Sequence, residues 1–253
     1  MGIFNNLFDI DSRDNYAVTG LNKELNSLYI YNYFIKNKKN NLVITNSLYE
    51  ANDVYNRLLN YTNKVLFFPM DDFITSEVTD ISPEFVIDRL TTLNKLLGSG
   101  KYIVVTNLMG ILRYLPNTKL YKNKIIDINK DMDIDRDDFI NKLFDLGYEK
   151  KPVVSRTGEM AIRGYVIDIF PIEFDNPIRI EFWGDTIDSI KYFDLEDQIS
   201  NTSVDSVKIY PYTEFLIDGK IEDNITRKQK YLLNYSDSVS GLWDYVSDSV
   251  IFY

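Results

Sequence analysis

The stretch Asn41–Pro69, "NLVITNSLYEANDVYNRLLNYTNKVLFFP", decides how the first part of the chain folds. "NLVITNS" is a short apolar run that ends in polar residues. From there Leu48, Val54, Leu58 and Leu59 recur at helical spacing. Ser47 stands where a helix N-cap is needed, and Glu50 three residues on completes a reciprocal capping box. "KVLFFP" then reads as a strand stopped by Pro69. The same order repeats downstream. "SPEFVIDRLTTLNKLLGSG" is a helix opened by Ser82, with Pro83 at its first position and Gly98 near its end. "KYIVVTN" (Lys101–Asn107) is a strand and "LMGILRYL" a short helix. Fully apolar runs such as "LVIT" and "IVVT" suit a parallel sheet covered on both faces. The fold class is therefore α/β, doubly wound, with right-handed crossovers.

In such a sheet the loops after the strands' carboxyl ends build the ligand site. "VTGLNKELNS" (Val18–Ser27) is expected to be one of them. It partly matches the phosphate loop G-x-x-x-x-G-K-[ST], with Gly20 and Ser27 at the two ends. Leu25 occupies the second Gly position and Asn26 the Lys position. A β-carbon at Leu25 obstructs the approach of backbone to phosphate, and Asn26 has neither charge nor reach. The residues themselves favour an ordinary turn into a helix, "LYIYNYFIKN". Its tyrosines could stack on bases, but their helical spacing favours a core face.

After Pro116 the pattern changes. "KIIDINKDMDIDRDDFINKLFDLGY" passes from an alternating strand through an acidic segment into a helix. That helix has Phe139, Leu143 and Leu146 on one face and Gly147 at its stop. The run Asp131–Asp138 lacks the calcium-loop spacing and reads as a solvated helix start, so no metal site is expected. Alternating strands follow: "KPVVSR", "EMAIRGYVIDIFP" and "PIRIEFWGDTIDSIKYFD", separated by turn signals at Thr157-Gly158, Asp175-Asn176-Pro177 and Gly184-Asp185. This predicts a second, α+β domain with an antiparallel sheet over 121–207, inserted between 1–120 and 208–253. Residues 208–253 return through helical "DNITRKQKYLLNYS" to a last strand, "DSVIFY". The abrupt stop at a strand suggests a piece of something larger.

Composition narrows the chemistry. The chain has 253 residues, 45% hydrophobic and 26% charged, so it can bury a sizeable core. With 28 basic and 38 acidic residues its net charge is −10, which disfavours nucleic-acid binding through bulk charge but leaves room for a local basic patch. It contains no Cys and no His. Disulfides, thiolate catalysis, Ser-His-Asp triads and Cys/His zinc sites are excluded. The start, "MGIFNNLFDIDSRDN", is not a secretory signal, and Asn6 spoils a myristoylation motif. No apolar run reaches the ~18 residues of a membrane span.

"GEMAIRGYVIDIFP" and "NPIRIEFWGDTIDSIKYFDLEDQIS" resemble the N-terminal module of the transcription-repair coupling factor family. "VTGL", "SLYEANDVYNRL", "LFFPMDDFITSEVTDISPE" and "DRLTTLNKLL" agree in order, so the resemblance covers nearly the whole chain. It implies a P-loop-NTPase-like (RecA-like) first domain with a degenerate nucleotide site, and an inserted domain that binds the UvrA protein. The same α+β domain occurs in UvrB, the damage-verifying helicase of excision repair. A UvrB-type fragment with ATP binding is the alternative. UvrB keeps an intact phosphate loop and has a Tyr-rich hairpin insertion, and this sequence has neither.

Carried onto this chain, the resemblance implies UvrA-binding roles for Arg163 of "RG", for Arg179 and Glu181 of "RIEF", and for Trp183, where the family has Phe. If Ile178, Ile180 and Phe182 face the core, Arg179, Glu181 and Trp183 share the opposite face. Such a face has hot-spot composition, although cross-strand ion pairs on a solvated face would look the same. The resemblance further implies no catalytic residue and no cofactor in this chain. ATP and Mg²⁺ belong to motor domains of the full-length translocase, as do the contacts to RNA polymerase and DNA. A C-terminal domain of the same protein masks the docking face, and the setting is cytoplasmic.

Overall fold

A computed structural model describes residues 16–72, 82–218, 232–236 and 239–253. It divides into two compact units. One holds the described residues up to Arg113 together with Ser240–Tyr253, and the other is Tyr114–Val239. The domain boundaries read from the sequence were 120/121 and 207/208.

The first unit contains α1 (Lys23–Asn37), β1 (Asn40–Thr45), α2 (Leu48–Leu59), β2 (Val65–Phe68), α3 (Pro83–Leu96), β3 (Ile103–Asn107) and α4 (Leu108–Ile111). The second contains β4 (Leu115–Pro116), α5 (Thr118–Lys124), β5 (Ile126–Asn129), α6 (Arg136–Asp145), β6 (Glu149–Lys150), β7 (Glu159–Arg163), β8 (Val166–Ile169), β9 (Ile178–Trp183), β10 (Thr186–Phe193), β11 (Ser200–Ser203), β12 (Ser206–Ile209) and α7 (Leu232–Tyr235). The chain then returns through β13 (Val239–Ser240), α8 (Leu242–Tyr245) and β14 (Ser249–Phe252). Among the described residues no helix is long and apolar enough to cross a membrane.

In the first unit β14, β1, β3 and β2 form a parallel sheet in that order. Every residue of β2 and β3 is buried, as a strand covered on both faces requires. Ile30, Phe34, Val43, Ala51, Leu58, Val65, Phe67, Ile103 and Val105 make one core cluster from α1, α2 and three strands. Leu28, Tyr29, Ile30 and Phe34 are buried, so the tyrosine-rich stretch supplies core. Ser47 caps α2 by accepting from the Glu50 N–H at 3.2 Å. The Glu50 carboxylate reaches the Asn46 N–H instead of that of Ser47, so the reciprocal bond falls one residue early. Ser82 makes no side-chain cap at α3, where Pro83 leaves one fewer N–H to satisfy.

One expectation fails here. No strand occurs in residues 16–22, and α1 begins at Lys23. Asn22 is the reason: its side chain accepts from the Leu25 N–H at 2.9 Å and starts the helix early. Leu25, Asn26 and Ser27 are therefore inside the helix and not on a loop after a strand.

In the second unit β11, β10, β9, β8, β7 and β6 form a six-stranded sheet in that order, antiparallel from β11 to β7. β6 departs from the predicted meander. It pairs with β7 in parallel, and residues 151–156 form no strand. Pro152 has no N–H to give to a ladder there. β10 carries a bulge: Ile187 faces Phe182 and Ser189 faces Glu181, so Asp188 is skipped in the pairing. A separate ladder joins β12 to β5. One face of the large sheet is lined by Ile167, Ile169, Ile178, Ile180, Ile187 and Ile190, all 1% exposed or less. Phe139, Leu143 and Leu146 of the α6 segment are equally buried, and the Phe139 ring lies 6.0 Å from that of Phe182. Asp135 caps α6 through the Asp138 N–H at 2.7 Å, so the acidic run is a helix start. No cluster of metal-ligand type occurs among the described residues. Of the predicted helix "DNITRKQKYLLNYS" only Leu232–Ser236 falls within the described residues. The N-terminal "MGIFNNLFDIDSRDN" and most of "FITSEVTDIS" lie outside them.

Gly158 fixes the entry to β7. Its φ is +88°, and an added Cβ would meet the Tyr212 ring at 2.1 Å. Gly158→Ala therefore combines left-handed strain with a steric clash. It should destabilise the unit by about 2–4 kcal/mol, measured as a lower urea midpoint at unchanged m-value.

Candidate docking face

The sequence "IRIEFW" alternates as a half-buried strand must. Ile178, Ile180 and Phe182 are buried, Arg179 and Glu181 are half-buried, and Trp183 is exposed. The register then gathers side chains from neighbouring strands, because directly paired residues project from the same face. Arg163 pairs with Val166, Val166 with Glu181, Asp168 with Arg179, Ser189 with Glu181, and Lys191 with Arg179. Arg163, Asp168, Arg179, Glu181, Ser189 and Lys191 thus share the face opposite the isoleucine core.

Asp168 is at the centre of this face and is 1% exposed. The Arg179 guanidinium binds it in a fork, Nε to Oδ1 at 2.7 Å and Nη2 to Oδ2 at 3.0 Å. Arg163 Nη2 approaches Oδ2 at 3.5 Å. Arg179 also donates Nη1 to the Gln198 carbonyl at 3.1 Å and stacks over the Phe193 ring, 4.7 Å from its centroid. The hydrogen bonds to Asp168, outweighing burial, push the Arg179 pKa further up. Beside this pair, Glu181 accepts from Lys191 Nζ at 2.8 Å and Ser189 Oγ at 2.5 Å. The Lys191 bond, then the Ser189 bond, hold its carboxyl below the usual range. At the head of β7, Glu159 accepts from Ser155 and Arg156. Burial raises its pKa, but these bonds outweigh it and the net shift is downward.

The four residues singled out from the sequence therefore differ in kind. Arg179 is 16% exposed and already fully engaged. Arg163 is 47% exposed and only loosely held. Glu181 is engaged on one side and open on the other. Trp183 is 83% exposed at the end of β9, with Tyr165 in the β7–β8 turn at 64%. A concavity of about 230 Å³ at this end is lined by Asp135, Arg136, Asp137, Tyr165, Gly184 and Asp185. It is smaller than ordinary small-molecule sites. A flat face carrying Trp, Tyr and Arg is instead the composition of a protein interface. Asp168 and Tyr165 were missed in the sequence. Asp168 interrupts the apolar run "VIDIF", a signal that a buried countercharge is needed.

The stretch that partly matches a phosphate loop, Val18–Ser27, belongs to the first unit. Gly20 has φ +82°. Ser27 is buried and its hydroxyl donates back to the Lys23 carbonyl at 3.3 Å. Asn26 is exposed. Glu24, in the first turn of α1, is held below the usual carboxyl range by its own backbone N–H and then by Arg57. Arg57 pairs with both Glu24 and Asp53, and Lys23 pairs with Asp53 at 3.3 Å. A carboxylate thus takes the helix N-terminal position a phosphate would need.

Residues 126–215, which include the whole face, match the UvrB interaction domain family. The chain carries a UvrB interaction domain. Along its wider length it is 33% identical over 229 residues to the transcription-repair-coupling factor of Staphylococcus haemolyticus, covering 90% of this chain and 20% of that protein. The same protein of Staphylococcus epidermidis is 32% identical over 235 residues, covering 92% and 20%. That of Staphylococcus aureus is 32% identical over 229 residues, covering 90% and 20%. The family resemblance drawn from "RG" and "RIEFW" thus extends over nine-tenths of the chain, while the chain spans about a fifth of the length of these curated relatives.

Within the UvrB interaction domain, Arg179→Ala strands the buried Asp168 charge. It should cost about 3–5 kcal/mol. Arg163→Ala, half in solvent, should cost less than about 1 kcal/mol. Urea unfolding of the two variants checks the contrast; equal losses would contradict it.

Proposed function

We propose that this chain is the UvrA-docking module of a transcription-repair coupling factor. The observation that carries this reading is the preorganised face itself, within a UvrB interaction domain. Asp168 holds Arg179 and steers Arg163, while Trp183 projects beside them with its ring free to enter a partner's pocket. Rigid, prepaired groups lose little side-chain entropy on association, and an exposed Trp flanked by Arg is the residue pairing that most often dominates interface energetics. Arg163, with a loosely held guanidinium, is suited to bidentate capture of a carboxylate on UvrA.

In this reading the complete protein displaces RNA polymerase stalled at damaged DNA with an ATP-driven motor outside this chain. A C-terminal domain of that protein covers the same face until UvrA is needed. The first unit is a RecA-like body that has lost its nucleotide, because Asn26 replaces the phosphate-binding Lys and Glu24 fills the anion position. It needs neither ATP nor Mg²⁺.

Pull-down of UvrA tests the site. Trp183→Ala and Arg163→Ala should each weaken capture at least roughly tenfold with unchanged circular dichroism, and equal capture by both variants and the parent chain would remove the assignment. Arg179→Ala is the poorer probe because it also disturbs the fold. The UvrB-type helicase reading has its own test, titration with a fluorescent ATP analogue. No saturable signal is expected with or without Mg²⁺, and Mg²⁺-dependent saturation would restore the helicase reading.

A further inference from the structure

Charge in the first unit is segregated along the strands. Between Glu24 and Glu50, between Asp53 and Asp71, and between Asp88 and Asp127 the chain has no acidic residue. These intervals contain the passages from α1 into β1, from α2 into β2 and from α3 into β3. In a parallel sheet with helical crossovers, all such passages lie at one edge, the amino ends of the strands. The register makes this concrete. Asn41 is level with Ile103, and Ile103 with Val65. Lys39, Lys101 and Lys64 therefore stand just ahead of three adjacent strands, β1, β3 and β2. Adjacent strands are about 4.8 Å apart, so the row spans about 10 Å at the backbone. Lys36 and Lys38 at the end of α1, and Lys95 in the last turn of α3, extend it.

Five of these six lysines are exposed and Lys101 is half-buried. Asp248, just ahead of β14, is the acidic residue on this edge among the described residues. It pairs with Lys39 at 2.9 Å. That bond, and then the charges of Lys39 and Lys101, outweigh burial and hold its carboxyl below the usual range. Lys38, Lys64, Lys95 and Lys101 form no ion pair among the described residues. Tyrosines occur in the same connecting segments. Tyr61 stacks on Tyr31 with centroids 5.6 Å apart, and Tyr102 follows Lys101.

Helix dipoles account for Lys36 and Lys95, which sit in last turns. They do not account for Lys39, Lys64 and Lys101, which are outside the helices. Lys38 is more telling. It has φ +54°, a position that Gly or Asn fills at less cost.

We propose that the amino edge of the parallel sheet binds a nucleic-acid backbone, with Lys38, Lys39, Lys64, Lys95 and Lys101 on phosphates and Tyr61 and Tyr102 beside them. A single strand rises about 3.4 Å per phosphate, so the row of three lysines spans about three nucleotides. Tyrosines beside a row of lysines suit bases, which stack on aromatic faces, and the row lies across strand ends without the amphipathic helix that lays an apolar face into a lipid surface. The surface belongs to the unit without the UvrA face and does not depend on that reading. It also adds a contact within this chain, where the sequence led to the expectation that DNA is held only by domains beyond it.

Fluorescence anisotropy of a labelled, roughly 20-nucleotide single strand, titrated with this chain at several salt concentrations, tests the proposal. Log affinity should fall linearly with log salt, with a slope of about −3.5, as roughly five phosphate contacts on a single strand give. A Lys64→Glu/Lys101→Glu variant should bind at least roughly tenfold more weakly and with a shallower slope. Lys38→Gly should melt at a higher temperature yet bind more weakly, separating charge from fold. Lys142→Glu, in the other unit, should bind like the parent. Absence of salt-sensitive binding, or parental binding by the double variant, overturns the proposal. So does equal competition by polyglutamate, which would make the surface an acidic-peptide site, or capture by phosphatidylserine vesicles without oligonucleotide binding. UvrA pull-down with the same variants should be unaffected, so failure of one reading is distinguishable from failure of the other.

Discussion

The fork between Arg179 and Asp168 is the constraint on which the candidate docking face depends. A carboxylate with 1% exposure is costly to bury in a sheet without a partner of matching geometry. Arg179 supplies two parallel N–H donors and a plane that packs on Phe193. Val154, Ala161, Phe170 and Phe193 form a small apolar cluster on this side of the sheet. The face is therefore not simply solvated: apolar support lies beneath one end of it, and charged groups are stationed where that support stops. Loss of the fork would leave both arginines free to choose other rotamers.

A division of labour follows from burial. Residues that set geometry (Asp168, Arg179) have their hydrogen-bonding capacity used within the fold. Residues proposed to meet a partner (Arg163, Trp183, Tyr165) retain exposed surface. Glu181 belongs to both groups, since Lys191 and Ser189 hold one oxygen while a third of its side chain stays open.

Much of this could be read in the sequence where periodicity is strong. The apolar runs at Leu42–Thr45 and Ile103–Thr106, and the two-residue alternation of "IRIEFW", appear in the structure as buried parallel strands and a two-sided antiparallel strand. Where single side chains decide, the reading failed. Asn22 starts α1 before the turn that the Gly20–Ser27 spacing suggested. Lys151 still donates its N–H to the Met160 carbonyl at 2.8 Å, but Pro152 ends the ladder there and β6 is confined to Glu149–Lys150. Asp168 was invisible as an anchor because its partner Arg179 is assigned by register, and register depends on tertiary pairing that periodicity does not encode.

The bulge in β10 bears on how this family of sheets can vary in length. Ahead of it, Ile187 faces the core; after it, Ile190 does so, three residues later and not two. The strand is thus two half-strands of opposite parity joined at Asp188. The Gly184–Asp185 hairpin sets the first half, while pairing with β9 and β11 sets the second. A one-residue insertion or deletion in the hairpin need not propagate to Ser189 and Lys191, because the irregular step can take up the change. The register of Ser189 and Lys191, the polar partners of Glu181, is thereby set apart from that of the turn.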